Sequence, residues 1–168
     1  MILTTHAITG AAIASIIPKH PILGFALGFM SHFILDSIPH WDYNLSSYTE
    51  DKINPLNNDI VISKKFIFDL FKIGLDLIIG FTFTFLFFGY SHPNYFIFAL
   101  AAGAVGGILP DALQFLYFKW RKEPLVSLQK FHTWVHSKIR LNKRPFLGIT
   151  TQIIIIFIII FFQKILTS

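Results

Sequence analysis

Apolar positions along the chain gather into five runs separated by short polar punctuation. Residues 3–17 (LTTHAITGAAIASII) form a short run of small and aliphatic side chains, closed by the PKHP turn at 18–21. Residues 22–38 form the second run. Residues 66–90 form the third, dense in Phe, and SHPN at 91–94 marks a turn. Residues 95–118 and 146–162 complete the set, the last built around IIIIFIIIFF. A membrane-crossing helix needs about 20 apolar residues, fewer where neighbours shield it. The runs therefore predict an all-α, polytopic membrane bundle of about five helices, one domain over 1–168, with polar loops at about 42–63 and 119–144. No internal repeat is evident. Gly103, Gly106 and Gly107 in AAGAVGGILP permit close helix approach. Pro110 removes a backbone donor and predicts a kink or break just before Asp111.

Composition strengthens the membrane reading. Of 168 residues, 54% are hydrophobic and 14% charged, with 20 Phe and a mean hydropathy of +0.61. Soluble domains carry about a quarter charged residues. The absence of Cys excludes disulfides and thiolate metal sites. The opening MILTTHAITG has no basic n-region, unlike a cleaved signal peptide.

Charge then orients the bundle. The net charge is +5, and the 119–144 stretch holds Lys119, Arg121, Lys122, Lys130, Lys138, Arg140, Lys143 and Arg144 against the single acid Glu123. The positive-inside rule places that stretch in the cytoplasm. Alternation then puts the N-terminus inside and the C-terminus outside, in a cell inner membrane, with Lys19 the one contrary charge. Nucleic acid is not expected as a partner, because topology already accounts for the basic stretch. The expected partner is the lipid bilayer.

A charged side chain at membrane depth costs about 2.5 kcal/mol or more. His6, His32, Asp36, Asp69, Lys72, Asp76, Asp111, His132 and His136 are therefore functional candidates. The densest stretch is SHFILDSIPHWDYN at 31–44. His32 and Asp36 are i and i+4, on one helix face. His132 and His136 are spaced alike, and such a pair can hold one ion from one face. His40 and Asp42 follow Pro39, where the second run ends. At ~1.5 Å per residue, His32 and Asp111 both lie roughly 10 Å inside the same membrane face. His6 and the 119–144 stretch fall on that face too, whichever way the protein is inserted.

Each feature also has a plain structural reading. A single His in an apolar run usually serves helix packing, which is the alternative for His6. His132 and His136 can belong to an interfacial amphipathic helix with Phe131, Trp134 and Val135. Asp111 can cap a helix restarting after Pro110. Lys72 is spaced to pair with Asp69 or Asp76, and Asp76 can instead orient a metal-bound His as an outer carboxylate. His20 and His92 lie in turns on the opposite side and are excluded.

Nitrogen and oxygen ligands without sulfur suit a divalent Zn, Mn or Fe ion rather than Cu(I). The candidate ligands are His6, His32, Asp36, Asp111, His132 and His136. His and Asp together serve metal-assisted hydrolysis, in which an ion activates water and a second can stabilise the leaving oxygen. Asp36 is the candidate bridging carboxylate, and His40 or Asp42 the candidate proton carrier.

The motifs THAITG, SHFILDSIPHWD, GGILPD and FHTWVHS, in that order, resemble the small bacterial membrane proteins described as membrane-bound metal-dependent hydrolases, including the LexA-regulated inner-membrane hydrolases. The resemblance covers most of the chain through Ser137. More distantly, His32, Asp36 and His40, with Pro39 between, are similar to the H-x-x-x-D…P-H helix of the zinc-dependent phospholipase C and single-strand nuclease superfamily, with slightly shorter spacing after Asp36. That superfamily's N-terminal Trp ligand and a clear Glu ligand have no counterpart here, which favours one or two ions over three. The resemblance implies hydrolysis. A phosphoester is the expected substrate, such as a phospholipid headgroup bond, since the site lies near headgroup level. The alternatives are a non-enzymatic metal carrier or sensor, and a structural bundle whose polar groups satisfy one another without metal.

Overall fold

The computed structural model describes residues 1–89 and 94–167. The chain forms α1 (Leu3–Ile16), α2 (Pro21–Asp36), α3 (Lys64–Phe88), α4 (Asn94–Lys119), α5 (Leu125–Val135) and α6 (Pro145–Thr167). Two short antiparallel strands, β1 (Tyr48–Thr49) and β2 (Asp59–Ile60), pair within the first polar loop. The expected turn at 91–94, with His92, lies outside the described residues except for Asn94, which opens α4. The all-α class expected from the apolar runs is the class observed, with one helix more than the five runs supply.

Among the described residues three helices, α3, α4 and α6, are long and apolar enough to cross a membrane. α1 and α2 have only 14 and 16 residues. That is about 21 and 24 Å of helix, against a hydrocarbon core of about 30 Å. They fold back on each other as a hairpin lying against α4. α1 also packs on α3 and α6, so it sits at the centre of the bundle and needs no lipid-facing side. This explains its composition. Most of its residues are buried, and they are Ala, Gly, Thr and Ser far more often than Ile or Leu. Elsewhere the outward rows are purely apolar: Leu23, Leu27, Met30 and Ile34 on α2, and Phe157 and Phe161 on α6, are exposed. Those rows face lipid in a membrane-embedded bundle.

The hairpin meets α4 at backbone contact distance. A Cβ on Gly10 would lie 2.1 Å from the Gly103 carbonyl oxygen, and one on Gly28 would lie 2.4 Å from that same oxygen. Glycine at these positions is what lets α1, α2 and α4 cross so closely.

Two local expectations change. α4 runs without interruption through Pro110, which is fully buried inside it. Asp111 therefore caps no restarted helix; packing against α1 and α2 holds the turn that Pro110 deprives of a donor. In addition, the 119–144 stretch is not simply a loop but contains α5. Leu125 and Val126 on that helix pack with Ile60, Tyr117 and Phe118, an apolar seam that fastens it against the end of α4.

Gln152 of α6 ties the helix starts together. Its Oε1 accepts from Ile2 N at 3.2 Å and Thr5 Oγ1 at 3.1 Å, and its Nε2 donates to Trp41 O at 2.8 Å. One buried amide thus links α6, the start of α1 and the segment after α2. That corner of the bundle is where the polar candidates gather.

Candidate metal centre

Asp36, at the last residue of α2, is 1% exposed and lies at the centre of a His cluster. Its Oδ2 is 2.9 Å from His132 Nε2 and 3.1 Å from His32 Nε2, and its Oδ1 is 3.2 Å from His6 Nε2. His32 Nε2 is also 3.6 Å from Asp111 Oδ1. Ligand atoms of His32, Asp36, Asp111 and His132 all lie within 4.8 Å of one another, an arrangement that can hold a metal ion. Asp36, His40 and His136 form a second group within that same span. Asp36 belongs to both groups, so its two oxygens can serve neighbouring ions.

The imidazoles are turned for coordination by backbone carbonyls. His32 Nδ1 lies 2.7 Å from Gly107 O, His40 Nδ1 2.7 Å from Ile38 O, and His136 Nδ1 3.3 Å from Ser137 O. A carbonyl only accepts, so each Nδ1 carries a proton, and in the neutral ring Nε2 then presents its lone pair. The Nε2 atoms of His32 and His132 face each other at 3.3 Å. His6 is fully buried, its ring stacked on His32 at 3.9 Å between centroids; its Nε2 faces Asp36 Oδ1, and its Nδ1 has no hydrogen-bond partner. A buried orphan nitrogen costs about 1–3 kcal/mol. Facing imidazole nitrogens, a bare buried nitrogen and two convergent carboxylates form a donor set that a divalent ion can satisfy.

Positive charge is already drawn to the second group. The Met1 nitrogen lies 3.0 Å from Asp36 Oδ1 and 2.9 Å from Asp42 Oδ1. His40 Nε2 is 3.3 Å from Asp42 Oδ2. Burial opposes ionisation of Asp42, but the Met1 ammonium and His40 outweigh it and hold the carboxyl well below its ordinary range. Burial moves His136 the other way, lowering its affinity for protons and favouring the neutral ring that coordinates. Asp111 and Asp42 are 30% and 37% exposed while His32 and His40 beside them are nearly sealed, so these two carboxylates mark the mouth.

Spacing alone misreads two residues. The i, i+4 interval of His132 and His136 predicts one ion held from a single helical face. They divide instead, His132 into the first group and His136 into the second. α5 ends at Val135, and His136 takes extended backbone angles of φ −56 and ψ 132, which carries its side chain off the helical face. Asp76, expected to orient a metal-bound His, instead accepts from Leu3 N at 2.7 Å, Thr4 N at 3.1 Å and Thr4 Oγ1 at 2.6 Å. The first N–H groups of α1 have no partners within the helix, and no side chain of α1 itself caps them. Asp76 supplies the missing acceptors and so positions His6 only through its helix. Lys72 pairs with Asp69 at 3.2 Å, and Asp69 anchors Ser47 of the first polar loop, outside the centre. His20 sits at the opposite end of α2, as the sequence implied.

Some participants gave little signal in the sequence. Tyr43 is half-buried beside the centre; burial and the carboxylates of Asp76, Asp111 and Asp42 push its phenol up, keeping it a proton-bearing donor. Its only sequence signal was its place in the run after His40. The Gly107 carbonyl and Gln152 gave none.

Searches with family models, against curated proteins and against solved structures found no match to this chain.

Proposed function

We propose that the chain is a membrane-embedded, metal-dependent hydrolase of phosphoesters, acting on a headgroup bond of a phospholipid. The observation that carries this is the convergence of His32 Nε2, His132 Nε2, Asp36 and Asp111 within 4.8 Å, with His32 Nδ1 fixed on the Gly107 carbonyl. Three of the four sequence motifs that resemble membrane-bound metal-dependent hydrolases carry these residues, and the fourth, THAITG, carries His6. His6, His32, Asp36, Asp111 and His132 would hold one divalent ion, and Asp36, His40 and His136 a second. Such an ion supplies a positive charge that polarises a phosphoryl oxygen and favours ionisation of water. Asp36 holds the two groups in register. Asp42, near the mouth and 3.3 Å from His40 Nε2, takes up and hands on the proton that water loses. Zn, Mn and Fe all suit this donor set.

With purified protein, added zinc or manganese is expected to raise the unfolding temperature. A ligand at about 100 times its Kd adds about 2.7 kcal/mol to stability. Turnover of a phosphoester should appear with the ion and vanish with a chelator. Ion-independent turnover, or stability indifferent to every divalent ion, overturns the reading.

The same reading sets an orientation, with the N-terminus and the 119–144 segment in the cytoplasm and the C-terminus outside, supported by the Lys and Arg excess. Because the chain has no Cys, single cysteines report cleanly. In intact cells an impermeant thiol reagent should label Thr167→Cys and spare Lys143→Cys. The reverse pattern would show that the orientation is inverted.

A further inference from the structure

The wall of the metal centre is made by two strands of chain laced together. Segment 137–142 runs beside segment 36–42: Ser137 N donates to Asp36 O at 2.7 Å, His40 bridges Arg140 in parallel, Leu141 N donates to His40 O at 3.0 Å, and Asp42 N donates to Asn142 Oδ1 at 3.3 Å. The ligand-bearing turn after α2 and the basic segment after α5 are thus one unit. It places Lys138, Lys143 and Arg144, all exposed, beside the mouth marked by Asp42. Arg140 is engaged by Glu50 at 3.7 Å. Among the described residues no carboxylate lies within ion-pair reach of the other three cations.

α5, which ends at Val135, three residues before Lys138, turns aromatic side chains outward. Phe131 packs on Phe33 of α2 at 4.9 Å and on Trp134 at 6.0 Å between ring centroids, and Trp134 is 77% exposed. Phe33 lies beside the outward row that ends in Met30 and Ile34. The Phe33–Phe131 contact thus joins α2 to α5, and from the exposed Trp134 the chain runs directly on to Lys138. An apolar surface, then exposed aromatics, then unpaired Lys and Arg is the profile of a membrane–water interface with anionic headgroups.

We propose that the strip formed by Lys138, Lys143 and Arg144, with Phe131 and Trp134 below it, docks the phosphate headgroup of an anionic phospholipid at the mouth of the metal centre. This names the substrate class within the hydrolase reading and rests on that reading only for the cleavage of a lipid once docked. The cations take the headgroup charge while the aromatic pair seats the glycerol and upper acyl region. A lipid held this way reaches the Asp111–Asp42 mouth sideways from its own leaflet, without leaving the membrane.

The test uses the full chain in nanodiscs holding equal phosphatidylcholine and phosphatidylglycerol, with native mass spectrometry of the lipids retained after mild extraction. Wild type should retain phosphatidylglycerol preferentially, by on the order of fivefold per engaged cation at low salt, and high salt should erase the preference. K138Q/K143Q/R144Q should retain the two lipids near the membrane ratio while unfolding at the wild-type temperature and keeping the zinc- or manganese-induced shift. Lys143→Gln alone should show an intermediate ratio. Wild type retaining both lipids equally, or the triple variant keeping the preference, overturns the docking strip and leaves the metal reading intact. A lipid preference in a protein that responds to no divalent ion supports the strip and removes the hydrolase.

Discussion

Asp36→Asn is expected to abolish both metal-induced stabilisation and turnover, the largest functional loss available from one atom's change. Volume alone makes this swap look mild, because Asn nearly matches Asp. The contacts say otherwise. Asp36 is buried and faces His6, His32, His132 and the Met1 nitrogen, all within 3.2 Å. Asn replaces an anion by a neutral group and one acceptor by a donor. The Met1 ammonium keeps Asp42 at 2.9 Å but loses its other counter-charge, so the cost falls below the about 3–5 kcal/mol of a buried ion pair broken from one side. The variant should therefore unfold at lower temperature even without metal, and zinc or manganese should no longer raise that temperature. Asp111→Asn separates the two effects, since Asp111 is 30% exposed and its loss should weaken the ion response with little change in the metal-free protein. Thermal unfolding with and without zinc or manganese, paired with phosphoester turnover, reads both variants. Asp36→Asn binding the ion as tightly as wild type would place the centre elsewhere.

Gly10→Ala should have the largest structural effect. The added Cβ would stand 2.1 Å from the Gly103 carbonyl oxygen and 2.9 Å from its carbon, and neither is a flexible side-chain end that can swing away. Relief requires α1 and α4 to separate by about an ångström along a crossing that Gly28 also shares. Overpacking of this kind costs about 1–3 kcal/mol, and more where backbone must move. The same shift would pull His6 on α1 away from Asp111 on α4. Loss of folded protein, or a deep fall in unfolding temperature together with a weakened ion response, is expected. Gly74→Ala provides the contrast, because a Cβ there meets nothing within 4 Å. It should be neutral or stabilising by about 0.5–1 kcal/mol, through removal of a helix-interior glycine. Equal stability of the two variants would contradict the close crossing.

Much of this arrangement was legible in the chain because few forces compete in an apolar sequence. Each run long enough to cross, and each short polar break, reads directly as helix and turn. Alternation of the runs then places His6, His32 and Asp111 at one level before any contact is known. The features that were not legible depend on local geometry rather than period. His132 and His136 share a helical spacing, but a helix ending one residue early sends them to different groups. Asp76 looked like an outer carboxylate because of its depth, and only the bare N–H groups at the start of α1 show what it holds. Pro110 reads as a break in isolation, yet two packed neighbours keep α4 continuous. The carbonyl of Gly107, which fixes the proton on His32, has no side chain to signal it.

The central claim is that Asp36 and its histidines hold a metal ion, and anomalous scattering from crystals of protein grown with zinc tests it most directly. A peak is expected within about 2.0–2.2 Å of His32 Nε2, His132 Nε2 and a carboxylate oxygen of Asp36. An ordered structure with no anomalous peak among these residues, and with the Asp36 carboxylate satisfied by the Met1 nitrogen and the imidazoles alone, would contradict it and leave a bundle whose polar groups only hold one another.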